Sequence, residues 1–352
     1  MKAYFRSASC ISPQNTFNNN GFLTDIVESI GTRLKAIEPD YKAYIDPKQI
    51  RRMSHVIKMG VAAASECLKQ ANVDMPGAVI SGSAFGCVQD TVTFLTRIIE
   101  QHEELLPPTA FIQSTHNTVS AQIALMLQCH NYNSTFVHKG ISFESALIDA
   151  LMFLNEQEAD DILVGGIDEM VDTNFKILTR LGMYKRQPIS NLSLFDERSR
   201  GSIAGEGAAF FVLTDKLQDG VLAELTGVKI LYQPNAIADG ITAFLASNSL
   251  TIDDIDLVIT GRNGDMRNDE IYSELNESLF ENSSLANYKH LCGEYSTSSS
   301  FALWLAVNFI SRGEVPEIVI EKKNTDNIKP KKVLIYNHYH GKYHSLMLVS
   351  KV

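Results

Sequence analysis

Residues 133–154, with the sequence NSTFVHKGISFESALIDALMFL, determine how the rest of this chain is interpreted. Residues 133–137 are rich in β-forming side chains and follow a polar break, so they predict a short buried strand. Residues 138–140 predict a turn, and residues 141–154 predict the helix that follows it. An elbow of this kind exposes one side chain, and the helix N-terminus stabilises negative charge there. The apex of this elbow is Ile141. The predicted elbow therefore resembles a nucleophile site, but its apex side chain has no nucleophilic atom.

The composition is that of an ordinary globular protein, with 352 residues of which 45% are hydrophobic and 20% are charged. This length accommodates one large domain or two coupled ones. No apolar run approaches the ~18 residues that a membrane span needs. Residues 1–6 predict a first strand and lack the long apolar segment of a signal peptide. We therefore expect a cytoplasmic protein that does not associate with membranes.

The charge and the cysteines exclude further classes of function. A net charge of −10 argues against general nucleic-acid binding. Short basic groups at residues 51–52 and 322–332 are best interpreted as solvated surface. The cysteines are scattered and contain no CxxC pair, so they suggest neither a metal knuckle nor a disulfide framework. We expect most of them to be small buried hydrophobic residues; they are Cys10, Cys67, Cys87, Cys129 and Cys292.

Strands and helices alternate along the chain, and the strands are continuously apolar, which favours an α/β architecture with buried sheets. A second strand–Gly–helix elbow is predicted at residues 290–294, before a helix at 298–310. Residues 142–147 weakly resemble residues 299–303, which suggests a duplicated fold. Residues 17–47 are polar and irregular and predict a surface insertion. The other predicted strands are 78–82, 161–169, 208–213, 222–232, 257–261, 332–336 and 345–349, and the other predicted helices are 53–71, 90–101, 120–127 and 237–247.

Residues 195–208, FDERSRGSIAGEGA, resemble the FDxxxxGxxxGEGA signature of the β-ketoacyl-acyl-carrier-protein synthases. Residues 51–53, residues 107–124 with Asn117, Gly165-Gly166, and Lys289 with Gly293 also match landmarks of this family in order. The resemblance covers nearly the whole chain. It implies a thiolase-like, five-layered α-β-α-β-α fold with two pseudo-repeated halves, 1–215 and 216–352. It also implies a dimer, and we expect no cofactor and no metal.

The same resemblance places non-catalytic residues where the family has its active site. Ile141 stands at the family cysteine position, and either Gly261 or Arg262 stands at the first histidine position. Glu294 takes the second histidine position, although Lys289 is retained. The C-terminal loop that borders the acyl pocket in the family has become residues 338–343. The resemblance therefore implies a substrate pocket formed by Phe143, His338, Tyr339 and His340.

Condensation requires a thiolate to hold the acyl chain and hydrogen-bond donors to stabilise the charge that develops on decarboxylation. Ile141 supplies no thiolate. Two like charges about 4 Å apart repel by about 4 kcal/mol at an effective dielectric constant near 20, which is roughly a thousandfold in rate. An ionised Glu294 would therefore repel a malonyl carboxylate. We expect this chain not to catalyse ordinary Claisen condensation.

Other polar residues near these positions have two interpretations each. Ser142 faintly resembles the serine of a G-x-S-x-G elbow, but a helix N-cap is favoured. His338, His340 and His344 share one hairpin and have metal-binding chemistry, although a polar pocket rim or a subunit contact is the favoured interpretation. Lys289 is expected to hold its loop through hydrogen bonds or to pair with Glu294, which would satisfy a buried charge.

Three functions follow as hypotheses. The favoured one is a subunit similar to a chain length factor, which pairs with an active ketosynthase and shapes its acyl tunnel in type II fatty-acid, polyketide or aryl-polyene biosynthesis. Residues 85–94 and 111–122 match the interface region, and a missing loop between Gly227 and Ala238 suits this role. The alternative is an acyltransferase-type enzyme of the same family with altered chemistry. The third is a non-catalytic scaffold subunit that docks acyl carrier protein through a basic patch at Lys322 and Lys323. The expected partners are an active ketosynthase in a heterodimer, or a second copy in a homodimer, and acyl carrier protein.

Overall fold

The structure is a computed structural model that describes residues 2–19, 21–196, 198–325 and 328–352. Glu197, which belongs to the signature at 195–208, lies outside the described residues. The strands are β1 Ala3–Ile11, β2 Ile30–Gly31, β3 Ala78–Gly82, β4 Tyr132–Phe136, β5 Asp161–Asp168, β6 Ile189–Ser190, β7 Gly207–Thr214, β8 Ala223–Tyr232, β9 Leu257–Thr260, β10 Leu285–Asn287, β11 Ile320–Lys322, β12 Lys332–Tyr339 and β13 Tyr343–Ser350. The α-helices are α1 Pro47–Ile50, α2 His55–Ala71, α3 Val88–Glu100, α4 Pro108–Gln113, α5 Thr118–Leu127, α6 Ser142–Asn155, α7 Asp172–Arg180, α8 Ile237–Ser247, α9 Met266–Asn276, α10 Lys289–Cys292 and α11 Ser299–Arg312.

The strand pairing follows the same pattern twice. In the first part of the chain the order is β1-β7-β5-β3-β4, and in the second part it is β8-β13-β12-β9-β10, with β11 added at the edge. In each part the first two pairings are antiparallel and the next two are parallel. Antiparallel pairing of β1 with β8 joins the two parts into one sheet. The boundary between residues 215 and 216 stays a prediction.

Helices α6 and α11 form the central layer of the molecule. α11 contacts β1, β5 and β7 from the first part and β8, β12 and β13 from the second, while α6 contacts β3, β4, β5 and β8. α2 and α5 cover the outer face of the first part of the sheet. α8 and α9 supply the apolar cluster on the outer face of the second part. The result is the expected thiolase-like α-β-α-β-α arrangement.

The strands are apolar on both sides because both faces of the sheet are covered. In β7, Ala208, Phe210 and Val212 join the cluster beneath α2. The alternating residues Ala209, Phe211 and Leu213 join the cluster around α6 and α11. The same alternation occurs in β12 and β13. Periodicity therefore places each residue on a face, and burial of both faces explains the unbroken apolar runs.

Two predictions about the first half of the chain are wrong in part. The sequence predicts a buried strand at 133–137, but β4 is exposed or half-buried along its length, because it lies at the end of the sheet and β3 is its one neighbouring strand among the described residues. Residues 17–47 are largely irregular, as expected, yet they are not merely a surface insertion. Phe22 is buried and packs on Trp304 and Phe309, with ring centroids 5.4 and 5.8 Å apart.

The other predicted helices and strands are present, with ends that differ by a few residues. Residues 233–236 make the short connection from β8 to α8, in the region where a missing loop was expected. Among the described residues there is no helix that is both long and apolar enough to cross a membrane.

Candidate functional site

The first elbow is closed around Ile141. This residue is the N-cap of α6 and is only 2% exposed. The next side chain, Ser142, is fully buried, and its Oγ donates to the Lys139 carbonyl and accepts from the His138 amide, both at 2.7 Å. Ser142 therefore ties the turn before α6 together, and its hydroxyl is not presented as a nucleophile.

Tyr339 lies directly against this elbow. A Cβ atom added at Gly140 would fall 2.4 Å from Cδ2 of Tyr339 and 2.6 Å from its Cγ. Real Cβ atoms do not approach other atoms so closely, so glycine is required for the aromatic ring to pack here. The ring comes from the far end of the chain, at the last residue of β12. The C-terminal hairpin thus covers the turn that leads into Ile141.

Phe143 does not line a pocket. It is fully buried in the cluster around α6 and α11, and its ring lies 5.9 Å from that of Phe211 on β7. The sequence-based assignment of Phe143 to a substrate pocket is therefore corrected. A helix whose whole first turn is buried between two sheet faces directs this side chain into the central layer.

The second elbow is held by the signature motif. The backbone amide of Glu294 donates to the Ile203 carbonyl at 2.7 Å, and the amide of Gly205 donates to the Glu294 carbonyl at 3.0 Å. A Cβ atom at Gly205 would fall 2.0 Å from the Cys292 carbonyl oxygen. The glycine at this position therefore allows two backbone segments to touch. This contact explains why a GEGA sequence accompanies an elbow almost ninety residues later in the chain.

Glu294 accepts two strong hydrogen bonds on one oxygen. Lys289 Nζ and Asn263 Nδ2 each lie 2.6 Å from Glu294 Oε2. The Lys289 side chain is 3% exposed, so its charge is compensated inside the protein by this carboxylate. The pairing that the sequence suggested for Lys289 is therefore present. The described part of the chain provides no donor for Glu294 Oε1.

The residue that faces Glu294 is Asn263, which the sequence analysis missed. The Gly261 position has no space for a side chain, because a Cβ atom there would lie 1.9 Å from Asn337 Oδ1. Arg262 instead points to Glu321 and Asp269. The side chain that contacts Glu294 from this loop is therefore Asn263 and not Gly261 or Arg262, and which residue stands at the first histidine position stays a prediction. The sequence NGD at 263–265 matches the H-G-T pattern in this register, which is the signal that was available.

The histidines of the C-terminal hairpin serve as structural hydrogen-bonding groups. His338 Nδ1 accepts from the Gly341 amide at 3.1 Å, so its Nε2 carries the proton donated to the Asn268 carbonyl at 2.8 Å. His344 uses both ring nitrogens as well, toward Tyr336 Oη and the Gly341 carbonyl. Burial lowers the pKa of His338 to about 3 and also lowers the pKa of His344. Both rings are thus neutral and engaged, and no metal-binding group of three side chains occurs within the described residues.

A pocket of about 480 Å³ opens beside the second elbow. Glu294, Asn263, His338, Tyr339 and His340 form part of its lining, so the structure brings together most of the expected pocket residues. Ile141 and Phe143 are not part of this lining. The apolar part of the lining consists of Phe85, Leu178, Leu181, Met183 and Ile271.

Asp168 connects three segments of the buried core. Its Oδ1 accepts from Ser83 Oγ at 3.0 Å and from the Ala84 amide at 2.9 Å. Its Oδ2 accepts from the amide and the Oγ1 of Thr297, at 3.0 and 2.9 Å. Burial raises the pKa of Asp168, although these four donors act in the opposite direction. A single carboxylate therefore connects β5, the turn after β3 and the approach to α11.

The cysteines lie away from the first elbow. All five are free and buried, as the composition suggested. Cys87 is the N-cap of α3, and Cys292 ends α10. Burial raises the pKa of both thiols, which keeps them protonated. None of them supplies a thiolate at the position of Ile141.

Comparison with known proteins agrees with this architecture. Residues 33–191 match the family model described as beta-ketoacyl synthase, N-terminal domain. No curated protein matches the sequence.

Solved structures share the fold over the whole chain. "The ishigamide ketosynthase/chain length factor" is similar with a TM-score of 0.82 and 17% identity, covering 100% of this chain and 99% of that one. The ketosynthase ApeO in complex with its chain length factor ApeC from Xenorhabdus doucetiae gives a TM-score of 0.77 and 15% identity, covering 99% and 98% of the two chains.

A third similar structure includes a carrier protein. It is AntDE:AntF, described as a type II PKS acyl-carrier protein in complex with its ketosynthase, with a TM-score of 0.73 and 17% identity, covering 100% of this chain and 99% of that one. Residues 33–191 therefore match the N-terminal domain of the beta-ketoacyl synthases, and the whole chain shares its fold with these ketosynthase structures.

Proposed function

We propose that this chain is a non-condensing subunit, similar to a chain length factor, that pairs with an active ketosynthase and shapes the tunnel for its acyl product. The observation that carries the proposal is the first elbow. Its apex side chain, Ile141, is aliphatic and buried, Ser142 is fully engaged, and the ring of Tyr339 covers Gly140. An elbow in this state offers no group to hold an acyl chain.

The second elbow supports the same function. Family chemistry requires donors that stabilise negative charge, whereas Glu294 presents a carboxylate to the pocket. Lys289 is committed to Glu294 and is almost fully buried, so it does not substitute for a missing histidine. His338 is held neutral by burial and by its two hydrogen bonds. Polar groups at this site therefore stabilise the fold and provide no catalytic acid or base.

An exposed apolar face supports pairing with another subunit. Helices α3 and α4 pack on each other through Phe94 and Phe111, with ring centroids 5.5 Å apart, and no residue of either helix is fully buried. Ile99 is 75% exposed and Ile112 is 63% exposed. Strand β4 lies at the end of the sheet, and among the described residues it has a neighbouring strand on one side only. Apolar surface and an open strand edge together favour a protein partner.

The partner proposed for this face is a cysteine-containing ketosynthase encoded near this chain. Co-expression and purification through a tag on this chain are expected to give a heterodimer. Ile112→Asp is expected to reduce recovery of the partner at least tenfold, while the matched change Leu217→Asp, at a position that is 61% exposed elsewhere, leaves it unchanged.

The functional test is elongation of acyl-carrier substrates with malonyl-carrier. We expect the complex to elongate, the chain alone to be inactive, and replacement of the partner's cysteine to abolish elongation. Ile141→Ala is expected to leave elongation by the complex within about twofold, because the side chain takes no part in chemistry. Elongation by the isolated chain would contradict the proposal.

The acyltransferase alternative is disfavoured by the geometry of Ser142, whose hydroxyl already donates and accepts within its own turn. Intact-mass measurement after incubation with acyl-carrier substrate checks this point. We expect no covalent adduct, and an adduct that Ser142→Ala removes would favour the alternative instead.

Carrier docking through Lys322 and Lys323 is also disfavoured. Lys323 pairs with Glu317, and Lys322 donates to the Glu281 carbonyl. Both ammonium groups therefore already have partners. Changing the two lysines to Gln is expected to leave carrier affinity of the complex within about twofold.

A further inference from the structure

The pocket beside Glu294 combines apolar and polar side chains, as small-molecule sites do. Its apolar lining includes Leu178, Leu181 and Met183. Its polar lining includes Glu294, Asn263 and His340. A volume of about 480 Å³ lies within the range that accommodates small organic ligands. Ile141 is not part of this lining, so the space is distinct from the first elbow.

The charges on the lining are mostly negative. Glu294, Asp265 and Glu270 contribute carboxylates, and Arg267 contributes the cation on this lining. Arg267 is already paired with Asp265 at 2.6 Å. Lys289 compensates the charge of Glu294, but its side chain is 3% exposed and it is not part of the pocket lining. An anionic ligand would therefore meet carboxylates without a free cation.

One acceptor atom is left for a ligand. Glu294 Oε2 holds both Lys289 and Asn263, whereas Oε1 receives no hydrogen bond from the described residues. The Glu294 side chain keeps 19% exposure, and the residue lines the pocket. Its orientation is fixed by two hydrogen bonds at 2.6 Å, so this acceptor is preorganised. A ligand ammonium group would donate a charge-assisted hydrogen bond to Glu294 Oε1.

We propose that this pocket binds a small amphipathic amine, with its apolar body against Leu178, Leu181 and Met183 and its ammonium group at Glu294 Oε1. This ligand class is opposite in charge to a malonyl or fatty-acyl carboxylate. The site would give a non-condensing subunit a means to respond to a small molecule. The proposal is independent of subunit pairing, because every residue that it uses belongs to this chain.

The test compares three probes that differ only in their head group: 4-phenylbutylamine, 4-phenylbutanol and 4-phenylbutanoate. Calorimetric titration into the full-length protein at pH 7 is expected to give an amine affinity at least tenfold above that of the alcohol and of the carboxylate. Glu294→Gln is expected to reduce amine binding at least tenfold and to remove the preference over the alcohol. Glu314→Gln, at an exposed position outside the pocket, serves as the matched control and should change nothing.

A second variant keeps the test valid if Glu294→Gln is unstable because Lys289 has lost its partner. The double change Lys289→Met/Glu294→Gln removes both charges together and is expected to lose the amine preference in the same way. Equal or tighter binding of 4-phenylbutanoate overturns the proposal. So does the absence of binding by all three probes, or an amine preference that survives the double change. Each of these results is independent of whether the ketosynthase complex forms.

Discussion

At the scale of single residues, the two elbows differ in the interactions that stabilise them. Ile141 contributes an apolar group that is almost fully buried, so the first elbow is stabilised by exclusion of water. At the second elbow a charged pair is retained, in which Glu294 neutralises the buried Lys289. The first elbow therefore presents an aliphatic side chain, and at the second elbow the ammonium group of Lys289 is buried against Glu294 and is not part of the pocket lining.

A thiol introduced by Ile141→Cys is expected to remain unreactive. The position is 2% exposed, so a reagent in solution has little access to a thiol there. Iodoacetamide labelling followed by mass spectrometry is expected to modify the native variant at least 100-fold more slowly than Ile99→Cys, whose position is 75% exposed. Denatured samples should label equally. Rapid native labelling at position 141 would show that the elbow is open.

Removing one partner of the Lys289–Glu294 ion pair is expected to lower the free energy of unfolding more than removing both partners. Glu294→Ala leaves Lys289 charged and 3% exposed, and an uncompensated buried charge costs about 3–5 kcal/mol. Lys289→Met/Glu294→Gln is expected to cost about 1 kcal/mol or less, because both charges leave together. Urea unfolding measures both values. A double variant as unstable as the single one would contradict this account.

At the scale of elements, the C-terminal hairpin is the feature that closes the first elbow. β12 and β13 pair from Lys332 with Ser350 to Tyr339 with Tyr343. Register in this hairpin places Tyr339 at its tip, where the ring meets Gly140. His338 and His344 fix the tip through hydrogen bonds to Asn268 and Gly341. An element from the end of the chain thus sets the shape of a turn formed two hundred residues earlier.

Gly140→Ala is expected to destabilise the protein by about 1–3 kcal/mol, because its methyl group would overlap the Tyr339 ring. The double change Gly140→Ala/Tyr339→Ala is expected to lower the free energy of unfolding by less than the sum of the two single changes, because removing the ring relieves the overlap. Thermal or urea unfolding of the three variants measures this coupling.

The matched control is Gly31→Ala, where the nearest atoms lie 3.7 Å from the added Cβ, and it should have little effect. If the changes in the free energy of unfolding caused by Gly140→Ala and Tyr339→Ala were strictly additive, the destabilisation would arise in the backbone of the turn. It would then not arise from the contact with the hairpin.

At the scale of the whole molecule, buried charged groups connect distant segments. Asp168 joins β5 to the approach to α11. His55, at the start of α2, lies 3.0 Å from Glu38 and 3.3 Å from Glu206 of the signature motif. Burial acts to lower the pKa of His55, but Glu206 and Glu38 outweigh it and raise the pKa. Burial raises the pKa of the neighbouring Glu169 to about 7.

The contributions of Glu169 and His55 to stability are expected to fall as pH rises from 6 to 8, whereas the lowered pKa values of His338 and His344 act in the opposite direction. A group whose pKa is higher in the folded state stabilises the protein below its unfolded pKa, and this stabilisation is lost as pH rises through the folded value. Both Glu169 and His55 are of this kind. For Glu169 the change between pH 6 and pH 8 amounts to about 1 kcal/mol.

Urea unfolding at pH 6, 7 and 8 measures this change. Glu169→Gln is expected to remove most of the contribution of Glu169 to the pH dependence of the free energy of unfolding. The control Glu314→Gln changes an exposed position and should leave this pH dependence as it is in the unmodified protein. A Glu169→Gln variant with an unchanged pH dependence would contradict the shift assigned to this carboxyl group.

The sequence by itself determined the alternation of strands and helices, the two elbows and the chemical character of Ile141 and Glu294, because periodicity and side-chain identity are local properties. The pairing of Lys289 with Glu294 was also accessible, since the two residues are five apart. Only the tertiary structure decided that β4 lies at an edge, that Phe143 points into the core, that Asn263 faces Glu294 and that Tyr339 covers Gly140. Each of these depends on segments far apart in the chain, and the contact between them is set by packing of the whole fold, which no local pattern encodes.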